Sequence, residues 1–131
     1  MAQVLVDTSA VYALMDRDDA FHRKAIAILR AMPRKGQTPL LTNFILAESH
    51  ALLLCRLGAP FARRWLLEQA WRVEAVLPRD EETAKDIVRR YADKEFSYTD
   101  ATSFAVMERL GIAAAFGCDT HFKQYGFQLL L

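Results

Sequence analysis

Charge of one sign is not in excess in this chain: seventeen Lys and Arg face sixteen Asp and Glu, leaving a formal +1. The field of the whole molecule therefore exerts no strong pull on nucleic acid or an anionic membrane, and any such contact needs a local patch. Cysteine is scarce too. Cys55 and Cys118 are the only two; neither has a partner at metal-ligand spacing and both lie in apolar stretches. That predicts buried thiols, no disulfide and a reducing compartment. No apolar run approaches the roughly 18 residues of a membrane span. No basic residue precedes Arg17, so the start lacks the charged region of a secretory signal. A soluble cytoplasmic protein without membrane contact is the expectation. Repeats, linkers and low-complexity segments are absent as well. With 131 residues, 53% of them hydrophobic, residues 1–131 are expected to form one domain whose core needs no staples.

The pattern along the chain alternates between two periods. Val4-Leu5-Val6 is a β-branched apolar run ending at Asp7-Thr8-Ser9, whose polar side chains can cap a helix. That helix is predicted to run to about Asp16, and an aspartate of the Asp18-Asp19 pair to cap a second one containing Ala25, Ile26 and Leu29. Leu40-Leu41 gives a second strand and Thr42 a helix cap, with the following helix ending near Leu57 because Gly58 and Pro60 break it. A helix over Phe61 to Ala70 and a third strand over Val73 to Leu77 follow. Asp80 reads as the cap of a surface helix that has Glu81 and Glu82 in its first turn and Arg89 and Arg90 in its last. Ser97 or Thr99 caps a helix carrying Asp100, Phe104 and Met107, which Gly111 ends. Ile112 to Phe116 is a fourth strand leading to Asp119, then come a short helix over Thr120 to Gln124 and a last strand from Phe127. Strands alternating with helices define an α/β fold with a central parallel sheet covered on both faces.

Open parallel sheets bind ligands beyond the carboxyl ends of their strands, which gives weight to Asp7 and Asp119, just past the first and fourth strands. Glu48 shares its helix face with Phe44, Ile45, Ala51, Leu52 and Cys55, and the opposite face with Leu46, Leu53, Leu54 and Leu57 is apolar too. This predicts a buried helix whose carboxylate must be paired, metal-bound or neutralised, and no Lys or Arg lies one turn away on its face. Asp100 lies with Ser103, Phe104 and Met107, and first-turn helix stabilisation is its plainer explanation. Two unit charges about 4 Å apart repel by roughly 4 kcal/mol at an effective dielectric near 20. Four converging carboxylates would therefore need cations, and oxygen-only ligands suit Mg²⁺ or Mn²⁺ rather than zinc.

Val6-Asp7-Thr8-Ser9-Ala10, Thr42-Asn43 leading into Ala47-Glu48, Ser97-Tyr98-Thr99-Asp100-Ala101 and Cys118-Asp119-Thr120-His121-Phe122 together resemble the PIN-domain ribonucleases. Within them, the pattern is most like the single-domain VapC-type toxins of toxin–antitoxin pairs. The resemblance implies a three-layer α/β/α sandwich around a parallel sheet, and Mg²⁺- or Mn²⁺-dependent cleavage of RNA. By position it makes Asp7, Glu48, Asp100 and Asp119 the catalytic metal ligands, with Thr8 and Ser9 as groups that orient Asp7 or a bound water. It also implies a homodimer and inhibition by a cognate antitoxin.

Other residues read more plainly. His22, His50 and His121 lie on three different segments and suit structural roles, although His121 neighbours Asp119. Arg63, Arg64, Trp65, Trp71 and Arg72 offer charge and stacking for RNA or, as readily, a solvated basic face over buried tryptophans. Leu53, Leu54 and Leu57 beside Phe61 and Trp65 fit a partner groove or ordinary core. Two other functions compete with a nuclease: an inactive PIN-like scaffold that binds RNA or protein, and a receiver-type phosphoacceptor module. The receiver needs acids clustered after its first strand, a phosphorylatable aspartate after its third and a lysine after its last; here Asp7 stands alone, the third strand ends in Leu77-Pro78 and a major carboxylate lies within a helix.

Overall fold

Val4, Leu5 and Val6 are wholly buried because β1 (Ala2–Val6) is the middle strand of a five-stranded sheet, with order β3-β2-β1-β4-β5. The computed structural model describes residues 2–131; Met1, the first residue of the expected domain, lies outside them. From β1 the chain continues through α1 (Thr8–Met15), α2 (His22–Ala31), β2 (Gln37–Thr42), α3 (Asn43–Leu57), α4 (Ala59–Glu68), β3 (Arg72–Glu74), α5 (Pro78–Arg90), α6 (Tyr98–Leu110), β4 (Ala114–Phe116), α7 (His121–Tyr125) and β5 (Gln128–Leu130). All four strand pairings are parallel, with Leu5 opposite Leu40 on one side and Ala115 on the other.

The order explains the layers. The chain steps outward from β1 to β2 to β3, then returns past β1 to β4 and β5. Right-handed crossovers therefore put α1–α4 on one face and α5–α7 on the other. The helix contacts follow this division: α1 packs on α2 and α3, α3 on α4, α5 on α6, and α6 on α7. The reversal of direction lies between β1 and β4, where an open sheet forms its binding crevice. A receiver-type sheet has order 2-1-3-4-5, so the observed order excludes that rival.

Several local expectations need correction. The second helix begins at His22 and has no side-chain cap; Asp19 instead accepts the Phe21 N–H at 3.0 Å, in the turn before it. Pro60 does not break a helix but lies in the first turn of α4, where a missing N–H costs nothing, so that helix starts at Ala59 and stops at Glu68. β3 is only three residues long, an edge strand beginning at Arg72, and β4 begins at Ala114. Asp80 is not the cap of α5 but its third residue; its carboxylate reaches back to the Leu77 N–H at 2.8 Å, and Pro78 opens the helix.

The largest correction concerns α3. Only Ile45, Ser49 and Leu53 are buried, while Ala47, Glu48, Ala51, Leu54 and Cys55 are exposed. The helix is apolar on a face that the fold leaves uncovered, so Glu48 is not a buried charge. Cys55 and Cys118 are likewise exposed rather than buried, and both are free.

Candidate active site

Each acid is delivered to the crevice by a local device that the sequence dictates. β1 ends at Asp7, whose backbone N–H is tied to Phe116 O of β4 at 2.9 Å and whose side chain caps α1. Thr42 caps α3 through the Ile45 N–H at 3.0 Å, and Glu48 follows two turns in. Ser97 and Asp100 form a reciprocal capping box at the start of α6: Asp100 N–H donates to Ser97 Oγ and Ser97 N–H donates to Asp100 Oδ2, both at 3.0 Å. Asp119 sits just beyond β4, accepting the His121 N–H at 2.9 Å.

The structure brings all four together in one cleft of about 480 Å³, lined also by Thr8, Ser9, Leu52, Glu95, Ser97 and His121. Ser9 holds Asp7, its hydroxyl donating to Oδ2 at 2.7 Å and its N–H at 3.3 Å. Thr8, a candidate for orienting Asp7 or a bound water, makes no bond to Asp7 and donates to Glu48 Oε1 at 2.6 Å across forty residues of sequence. Gly117 makes the close approach possible: a Cβ there would stand 2.7 Å from Ser9 Oγ and 2.9 Å from Asp7 Cβ. Cys118 N–H completes the support by donating to Ser9 Oγ at 3.0 Å.

One regularity runs through the cleft. Each acid has one oxygen held by the protein's own donors: Asp7 Oδ2, Glu48 Oε1, Asp100 Oδ2 and Asp119 Oδ1. Among the described residues nothing donates to the other oxygen of any of them, and no Lys or Arg pairs with any. Among the described residues no buried side-chain polar atom lacks a partner, so the free oxygens of Asp7, Asp100 and Asp119, three residues that line the cleft, are not sealed from solvent. Ligand atoms of Asp100, Asp119 and His121 lie within 4.8 Å of one another, and Asp7 and Glu48 line the same cleft; carboxylate oxygens so placed fit a hard divalent cation.

Burial pushes the Asp7 carboxyl up to about 6; hydrogen bonds from Ser9 work against this, and the charges of Asp119 and Asp100 add to it. Burial opposes the charged form of His121, but the hydrogen bond to Asp100 and the charges of Asp119, Asp100 and Glu95 outweigh it and raise its pKa. Glu95 has no sequence signal as a cleft-lining group, and Ser97 reads from the sequence only as a helix cap and motif residue.

The remaining candidates stay outside. His22 bonds to Ala13 O at 2.7 Å, a structural role, and His50 is half-buried on α3. Trp65 is buried and Trp71 half-buried; with Met15, Phe61 and Arg64 they line a separate groove of about 270 Å³, which contains none of the four acids.

A parallel sheet with acids gathered at its switch point defines a family. The PIN domain profile matches residues 4–128, and the chain belongs to the PIN-domain family. Among individual proteins it is similar to the 23S rRNA-specific endonuclease VapC20 of Mycobacterium tuberculosis, 37% identical over 127 residues that cover 95% of each chain. The crystal structure of that VapC20, described as a Sarcin-Ricin loop cleaving toxin, superposes with a TM-score of 0.85 at 35% identity, covering 95% of each chain. FitAcB from Neisseria gonorrhoeae (TM-score 0.71, 14% identity, 98% of this chain and 96% of that one) and PAE2754 from Pyrobaculum aerophilum (0.64, 17%, 98% and 90%) share the fold.

Proposed function

We propose that residues 1–131 act as one nuclease domain, a VapC-type endoribonuclease toxin that hydrolyses phosphodiester bonds in RNA with Mg²⁺ or Mn²⁺ held by Asp7, Glu48, Asp100 and Asp119. The observation that carries this reading is the gathering of four carboxylates in one cleft, each with one oxygen left without a protein donor and none paired with Lys or Arg. Similarity over nearly the whole chain to an rRNA-specific endonuclease makes ribosomal RNA the substrate class to test first.

A divalent cation, when bound, supplies a more acidic water and neutralises charge on the phosphate and leaving oxygen. The chain's own residues do the rest. Thr8 and Ser9 fix Glu48 and Asp7 so that one oxygen of each is presented. The capping box fixes Asp100, and the backbone of His121 fixes Asp119. No Ser or Cys nucleophile is required by such a site, and an inactive scaffold would have no use for four presented oxygens.

Purified protein should cut single-stranded or loop RNA in Mg²⁺ or Mn²⁺ and stop when EDTA is added; cleavage that continues undiminished in chelator rules out the metal mechanism. An inactive scaffold would show no metal-dependent turnover at all.

The partners of the toxin reading have their own support. Leu54 and Leu67 are 46% and 75% exposed on α3 and α4, and Phe61, 39% exposed, lines the groove with Met15, Trp65 and Trp71. We assign this apolar surface to a second copy of the chain and to a cognate antitoxin. Among the described residues no helix is long and apolar enough to cross a membrane, and a cytoplasmic location is part of this proposal because its substrate is RNA. A monomer by light scattering at high concentration would remove the homodimer from this picture.

A further inference from the structure

His121 touches two of the four acids through a single ring nitrogen. Its Nδ1 lies 2.8 Å from Asp100 Oδ2 and 3.4 Å from Asp119 Oδ1. A carboxylate oxygen only accepts, so Nδ1 carries a proton and donates. The ring is itself located by packing. Phe96 meets it edge-on at 5.4 Å, and Phe96 in turn meets Phe104 of α6 edge-on at 5.1 Å. The imidazole is thus fixed against the helix that carries Asp100, while its own backbone holds Asp119.

We propose that His121 is a positioning residue that ties Asp100, held by its Nδ1–H, to Asp119, held by its backbone N–H and approached by the ring at 3.4 Å, and so sets the spacing and facing of the two oxygens, Asp100 Oδ1 and Asp119 Oδ2, that are left for the cation. The inference rests on the metal-site reading above. Without the ring each acid keeps one anchor, Asp100 through the Ser97 N–H and Asp119 through the His121 N–H. Nothing else described joins the two side chains, one on α6 and one in the loop before α7. The same geometry has two competing explanations: the imidazole ligates the cation itself, or it only fills space under Phe96.

Two near-isosteres separate these. His121→Asn places an amide nitrogen close to the Nδ1 position, whereas His121→Gln places its amide closer to Nε2. Mn²⁺ binding is measured by titration calorimetry on the full chain after metal depletion, with thermal melts of each variant alongside and His121→Ala as a third variant. Removing a partner that orients metal ligands weakens affinity by roughly 10- to 100-fold. That loss is expected for Gln and Ala, with Asn restoring affinity to within about threefold of the parent. Pulsed EPR of Mn²⁺ on the parent should show no directly bound nitrogen.

A Gln variant that binds Mn²⁺ like the parent, or Asn and Gln falling equally, overturns the inference. So does a nitrogen coupling that identifies imidazole as a ligand, a measurement that needs no variant to fold. Failure of the parent to bind Mn²⁺ overturns the metal-site reading and this inference with it; tight binding by parent and Gln variant alike overturns the inference alone.

Discussion

Asp80 and Asp7 are both nearly hidden from solvent, at 2% and 6% exposed, but they meet opposite company. Asp80 is gripped by Arg109, with Nε 2.9 Å from Oδ1 and Nη2 2.9 Å from Oδ2, and it also accepts the Leu77 N–H. Burial alone would raise its pKa; the hydrogen bonds from Arg109 and Leu77 and the charges of Arg109 and Arg79 hold it below the usual carboxylate range. Asp7 has only neutral donors from Ser9, and its pKa rises to about 6. The fold supplies a guanidinium to one buried acid and withholds it from the other. A cluster left in that state has its charge available to something from outside the chain.

The contrast is broken most severely at Arg109. Replacing it with Leu leaves Asp80 buried without its cation and Glu74 without its second partner, and breaking such a pair from one side costs about 3–5 kcal/mol. A denaturant melt of Arg109→Leu should show that loss, and a variant as stable as the parent would mean that Asp80 is neutral.

Asp7→Asn should do the reverse. The rise from 3.8 to about 6 corresponds to about 3 kcal/mol as an upper bound. Because the folded carboxyl titrates above the unfolded one, folding disfavours its charged form. The penalty is absent below 3.8, grows as pH rises and is complete above about 6. Without metal, Asp7→Asn should melt higher than the parent at about pH 8, with the gap closing near pH 4, and RNA cleavage should collapse. Saturating Mg²⁺ or Mn²⁺ should then stabilise the parent more than the variant. A variant that melts lower without metal and still cuts RNA would make Asp7 a structural cap.

The smallest effect probes the neutral donors. Gly117→Ala drives a methyl against Ser9 Oγ and the stem of Asp7, a strain of about 1–2 kcal/mol. Turnover should fall more than stability does. Unchanged turnover would mean that the Ser9 hydroxyl can rotate away and be replaced by water.

These residues also show what a sequence does and does not disclose. The ends of β1 and β2 were legible because a cap follows each apolar run: Asp7 and Thr42 announce themselves by type and place. The four acids were legible for the same reason, each standing at a strand end or near a cap. The exposure of Glu48 was not, since an apolar helix face gives one pattern whether the same domain covers it or leaves it bare. Cys55, on that face, misled in the same way. Pro60 signals a boundary but not whether a helix ends before it or begins at it. His121 was legible only as a neighbour of Asp119, because its bond to Asp100 depends on how α7 docks against α6.

The central place of β1 has a consequence for timing. Asp7 is made well before the strand on its other side, β4, and before its cleft companions Asp119 and His121, which follow β4. Pairings so distant in sequence form late, and synthesis delivers residues one after another at about 5–20 per second. A nascent chain halted before β4 has three of the four acids but neither the strand that completes the crevice nor the residues beyond it. A domain built this way cannot close its cleft until β4 and the segment beyond it have been made.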